Sequence, residues 1–302
     1  MSCAGPGDGI DDEMMGLPPG TGGSDAAGTV REGGTPSSDA GFDGPCDLAK
    51  PFGAPVPIAE LNTSDQDIVA DVSPDELTIF VVTNHAVPGV QLFYATRSAK
   101  TAAWGPLTLL FPSGNWANLA VAVNGTTAIV SSDRSGNSEL YVATRPTPLA
   151  QFGPLTPTFG ASSTGAEEGP RWGADGKTFY FDSTRDGSRD IFVSTLVNGK
   201  FSDVTPLKTI NTPGVEGVPV LTADELSMYF VSDRAPAAGP GDIFVATRPS
   251  KTASFGSNVT LVPNVNSDGL DAPGHISADG CTLYLSSTRL GSFDIFAARR
   301  PN

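Results

Sequence analysis

About every fifty residues this chain repeats one frame of strand and turn residues. The sharpest copy runs Ala278-Asp279-Gly280-Cys281-Thr282-Leu283-Tyr284-Leu285-Ser286-Ser287-Thr288-Arg289, then Gly291, then Asp294-Ile295-Phe296-Ala297. The frame returns at 174–193 and 223–245, and more weakly at 124–142 and 74–94. Its anchors are Asp75, Asn124, Asp175, Asp224 and Asp279. Runs such as Thr178-Phe179-Tyr180-Phe181 are too short and too rich in β-branched and aromatic residues for helices. Ala-Asp-Gly ahead of them is a tight turn, with Asp bonding its own backbone and Gly taking the positive φ. An apolar residue precedes each turn: Val72, Val121, Trp172, Leu221 and Ile276. After a second strand comes an aromatic-Gly signal and a last strand, as at Phe152-Gly153-Pro154-Leu155. Four short strands per repeat build a propeller blade.

The chain ends fix the blade number. The fifth copy stops at Arg299-Arg300-Pro301-Asn302, before any aromatic-Gly strand, and that piece stands at the other end as Phe52-Gly53-Ala54-Pro55-Val56-Pro57. Residues 51–63 are therefore expected to supply the outer strand of the last blade, closing the ring and covering its edges. The expected fold is all-β, a five-bladed propeller of four-stranded antiparallel blades over 51–302.

Residues 1–50 are different material, rich in Gly, Pro, Ser and Asp with few apolar residues. Such a segment buries too little apolar surface to offset its ordering entropy, and is expected to be a disordered tail or tether. The whole chain carries a formal charge of −15, which disfavours nucleic acid and anionic membranes as partners. No apolar run is long enough to span a bilayer. The start, Met1-Ser2-Cys3-Ala4-Gly5, looks like a processed bacterial lipoprotein end with Cys3 as the lipidated residue. A start site assigned too far downstream would account for the missing signal peptide; the alternative is an incidental cysteine. Cys46 precedes the closing strand, and Cys281 opens a strand of the same blade. The two reach one end of that sheet, so a disulfide there would lock the ring in an oxidising compartment. Two unpaired cysteines are the other reading.

At Ser132-Asp133-Arg134-Ser135-Gly136-Asn137-Ser138-Glu139-Leu140-Tyr141-Val142 the pattern resembles the WD40-like repeat of TolB-type propellers. Their blades read Ser-Pro-Asp-Gly, Ser-Asp-Arg-x-Gly and Asp-Ile-Tyr. Ser232-Asp233-Arg234 and Ser183-Thr184-Arg185-Asp186-Gly187 repeat it. The resemblance covers about 51–302. It implies a periplasmic or outer-membrane lipoprotein module that binds or scaffolds. TolB's separate N-terminal domain and one blade are missing, so a role in the Tol–Pal system does not follow.

Comparing the copies separates two residue sets. Arg134, Arg185, Arg234 and Arg289 recur with Glu139, Asp190, Asp242 and Asp294; where the first copy has His85 it also has Gln91. This joint loss predicts structural pairs Arg134–Glu139, Arg185–Asp190, Arg234–Asp242 and Arg289–Asp294. Eight residues before the turn stand Asp67, Trp116, Glu167, Glu216 and Asp271, and four before it Asp71, Ala120, Arg171, Val220 and His275. These are expected around the axis. Their unequal chemistry suits one asymmetric ligand site, for a protein, peptide or glycan on the loop face. A solvated acidic rim is the plainer reading.

Hydrolase elbows, metalloprotease motifs, Cys-x-x-Cys pairs and phosphate loops are absent from the sequence. No cofactor or metal is expected. Converging carboxylates would suit Ca²⁺, but no Asp-x-Asp-x-Asp-Gly loop supports it. The leading expectation is a non-enzymatic binding or scaffolding propeller. The alternatives are a carbohydrate-active hydrolase using the axial carboxylates and a spacer without ligand.

Overall fold

The structure is a computed structural model and describes residues 45–85, 89–111, 116–148, 150–158, 160–197 and 200–302. The expected tail up to residue 44, with Cys3, lies outside the described residues. Twenty strands form five four-stranded antiparallel sheets, with no helix among the described residues. Strands are lettered a to d within each blade. Blade 1 comprises Asp67–Val72, Thr78–Thr83, Gln91–Thr96 and Thr108–Leu109. The a strands of blades 2 to 5 are Trp116–Val121, Glu167–Trp172, Glu216–Leu221 and Asp271–Ile276. Each a strand touches the a strands of both neighbouring blades, and blade 5 touches blade 1, so the five line a closed ring.

Ring closure follows the expectation. Strand d of blade 5 is Val56–Pro57, with Val56 opposite Ala297 and Pro57 opposite Phe296. Gly53 N–H and Ile58 N–H donate to Arg299 O and Ile295 O at 2.8 and 2.9 Å. Cys46 and Cys281 are joined, their Cα atoms 5.7 Å apart, and Asp47 N–H donates to Pro301 O. Ordered contacts thus begin ahead of residue 51.

The apolar core is divided among the blade junctions. Phe179 and Phe181 face Ile129 and Leu140 of blade 2, while Tyr180, between them in sequence, faces Met228 and Phe230 of blade 4. A blade sandwiched between two others buries both its faces, which is why the b strands read as continuous apolar runs rather than alternating ones. At the a–b turns the positive φ falls on Gly125, Gly176 and Gly280, but on Glu76 and Glu225 (both φ 57°) in blades 1 and 4. Those two glutamates offset the backbone cost by reaching Arg97 and Arg248, respectively.

The aromatic-Gly signal has a partner that sequence comparison overlooked. Arg97, Arg145, Arg248 and Arg300 end the c strands and lie over Trp104, Phe152, Phe255 and Phe52 at 4.2, 4.2, 4.5 and 3.9 Å. Such stacking ties strand c to the start of strand d in its own blade. At Arg300 over Phe52 it also joins the two ends of the described chain. The recurrent Ala-Thr-Arg at 95–97, 143–145 and 246–248 was the available clue.

Candidate functional site

Four residues before the turn, strand a carries Asp71, Ala120, Arg171, Val220 and His275 in blades 1 to 5, and here the ring stops being symmetric. Arg171 of blade 3 crosses to blade 1, where its Nη1 donates to Asp71 Oδ1 at 2.6 Å. Its Nη2 donates to Gly274 O of blade 5 at 2.7 Å and to Ala70 O at 3.3 Å; its Nε donates to Pro219 O of blade 4 at 3.4 Å. Asp71 Oδ1 also meets His275 Nδ1 of blade 5 at 3.1 Å, and Oδ2 accepts Val121 N–H of blade 2 at 2.9 Å. One ion pair therefore touches all five blades. Asp71 and Arg171 are buried, at 5% and 7% exposure, and His275 is partly buried. Burial alone would raise Asp71, but Arg171 and His275 hold its carboxyl below the usual carboxylate range.

Asp67, Glu167, Glu216 and Asp271, expected at an axial rim, lie fully buried at the starts of the a strands. Each caps the loop before it: Asp67 accepts from Thr63, Glu167 from Ser163, Glu216 from Thr212 and Asp271 from Ser267. Trp116 holds the same place in blade 2, buried against Phe111.

The arginine pairs need correction. Arg185 meets Glu167 at 3.2 Å, Arg234 meets Glu216 at 3.0 Å and Arg289 meets Asp271 at 2.6 Å, instead of Asp190, Asp242 and Asp294. In blade 2 Arg134 lies 5.0 Å over the Trp116 ring rather than against Glu139. The reason is register. Strand b pairs with strand a so that Ser183 stands opposite Glu167, and the arginine two residues later folds back over strand a. The strand-c acids instead face the next blade. His85, in the arginine position of blade 1, turns to Asp65 at 3.0 Å.

A second charged cluster went unread in the sequence. Arg189 contacts Glu168 at 3.0 Å and also Asp182, all three buried, while Asp182 Oδ2 accepts Val218 N–H of blade 4 at 3.0 Å. Burial, against the pull of Arg189, raises the Glu168 carboxyl. Blades 1 and 4 carry valine at the Asp182 position, so only a blade-by-blade comparison of strand b would have exposed it. Among the described residues no group of three or more His, Cys, Asp or Glu side chains is arranged to hold a metal ion.

No protein-family profile matches the chain, and no curated protein matches it. Solved structures do. They include a protein described as TolB from Agrobacterium tumefaciens, at 18% identity and TM-score 0.50, covering 81% of this chain and 80% of that one. A thermostable family-43 glycoside hydrolase matches at 13% and 0.51, covering 79% and 90%. The α-L-arabinofuranosidase of Podospora anserina matches at 10% and 0.52, covering 86% and 99%. The chain spans 55% of TolB from Acinetobacter baumannii, at 18% identity and TM-score 0.47. At these identities the likeness is one of fold: the chain is a five-bladed β-propeller that shares its architecture with TolB and with glycoside hydrolases.

Proposed function

We propose that this propeller is a non-enzymatic binding or scaffolding module of the bacterial envelope, taking a protein, peptide or glycan across the face formed by its d–a and b–c loops. The observation that carries the reading is the saturated axis. Both oxygens of Asp71 are occupied by Arg171, His275 and the Val121 amide. A glycosidase needs one carboxyl group to give up a proton and another to attack or to activate water. The acids at 67, 167, 216 and 271 are committed to loops, and three of them also to arginines. The Cys46–Cys281 link suits an oxidising compartment. Among the described residues no helix is long and apolar enough to cross a membrane; anchoring through Cys3 belongs to the same proposal.

Glycan-array and pull-down experiments with the oxidised full chain test the reading. Saturable binding that weakens when exposed loop residues Asp186 or Leu290 are changed supports it. Hydrolysis of an arabinoside that disappears in Asp71→Asn would replace it with the hydrolase.

A further inference from the structure

At four of the five junctions two acids meet. The amide of the first strand-a residue donates to the carbonyl just ahead of strand c in the preceding blade. The bonds run from Glu167 to Ser138 (2.9 Å), Glu216 to Arg189 (2.8 Å), Asp271 to Gly241 (2.9 Å) and Asp67 to Phe293 (2.8 Å). This sets Glu139 beside Glu167, Asp190 beside Glu216, Asp242 beside Asp271 and Asp294 beside Asp67. At each junction one buried oxygen meets no protein donor: Glu139 Oε2, Asp190 Oδ1, Asp242 Oδ1 and Asp67 Oδ1. Asp67 and Asp242 are wholly excluded from solvent.

The donors nearby are committed elsewhere. Ser163, Ser183 and Arg185 serve Glu167; Thr212, Ser232 and Arg234 serve Glu216; Ser267 and Arg289 serve Asp271. At these three junctions one guanidinium neutralises one carboxylate, so the second acid keeps an uncompensated buried oxygen; at the fourth the orphan oxygen is that of Asp67 itself, and either arrangement is costly. A bound cation would have to sit beside that guanidinium with only two carboxylates to hold it. A proton needs less: it turns the orphan oxygen into a donor toward its neighbour.

We propose that each of these four junctions holds one proton shared between its two acids, so that the ring is tightest in mildly acidic solution and loosens toward neutral pH. The blade 1–2 junction, with Gln91 and Trp116 in the two positions, is exempt. Asp190 is faced by Ser188 and Asp186 from its own loop and by Glu216 of blade 4, which carries Arg234. Glu139 is faced by Ser162, Glu167 and Arg185 of the following loop and blade. Asp242 is faced by the Ala238 and Gly239 amides and by Asp271, which carries Arg289. Asp67 is faced by Thr63, Thr83 and Asp294.

Burial, with Glu216 close by, pushes Asp190 up to about 6 and raises Glu139, Asp242 and Asp67 in the same direction. An acid raised on folding stabilises fully below its unfolded value, about 4, and the contribution is lost as pH climbs through the folded value. Asp71, Asp75, Asp175, Asp224 and Asp279 are lowered, so their contributions fail only under stronger acid.

Thermal melts of the full chain and of Asp190→Asn between about pH 4.5 and 7.5 test this. The wild-type Tm is expected to fall by roughly 3 °C or more across that range, and the variant to fall less and to equal or exceed wild type at the upper end. Parallel curves, with the variant lower throughout, would overturn the proposal. Independently of how the variant folds, wild-type protein labelled with ¹³C-aspartate should show a carboxyl carbon titrating near about 6. Aspartates all ionised below about pH 5 would overturn it as well.

Discussion

Blades 2 and 3 solve one structural problem with different chemistry. In blade 3 the slot at the head of strand a holds Glu167, and Arg185 lies over Phe181 and Phe192 while donating to that glutamate and to Ala161 O. In blade 2 the slot holds Trp116, and Arg134 keeps its place by lying over Trp116 and Tyr141, each 5.0 Å away. Blade 1 makes the opposite change, keeping Asp67 without an arginine and holding it through Thr63. A guanidinium plane suits both a carboxylate and an aromatic face, so the slot accepts either. The exchange of Glu167 for Trp116 at this position is therefore matched by what its own blade's arginine lies against.

That reading ranks three substitutions. Glu167→Ala leaves Arg185 half-paired in a buried slot and uncaps the loop at Ser163, so urea unfolding should show a loss of about 3 kcal/mol or more. Arg185→Ala removes the arginine but leaves Glu167 its two serines; a loss of roughly 1.5–3 kcal/mol is expected, with ligand binding retained. Arg134→Ala forfeits mainly stacking and should cost only about 0.5–1 kcal/mol. If Arg134→Ala proved as damaging as Arg185→Ala, the two slots would not be alternative solutions to one need. Loss of ligand binding in Arg185→Ala with an unchanged Tm would restore the acids as a binding rim.

The blades and their closure were legible because each rests on local chemistry written five times: a turn, a short apolar strand, a break. The fragment at Phe52-Gly53 completed the count, since an unpaired strand-c edge in blade 5 demands a partner. The partners of the arginines were not legible. The joint loss of charge at His85 and Gln91 suggested a pair five to eight residues apart. In the fold, Gln91 stands at the junction with Trp116, so its lost acid accompanies the lost acid of the next blade, while His85 turns to Asp65. Correlated change along a repeat ran through a neighbour that sequence distance conceals. The contact of Arg171 with Asp71 bridges a hundred positions in the chain. Only the ring brings those two together, and no local pattern announces it.

Arg171, Asp71 and His275 join the five a strands through their own side chains. A double-mutant cycle on Asp71 and Arg171, read by urea unfolding, tests that most directly. Arg171→Met alone should cost about 3–5 kcal/mol by stranding a buried carboxylate, and adding Asp71→Asn should recover a large part of it. Single variants that each cost under about 0.5 kcal/mol and simply add would contradict the account and return the axis to a ligand.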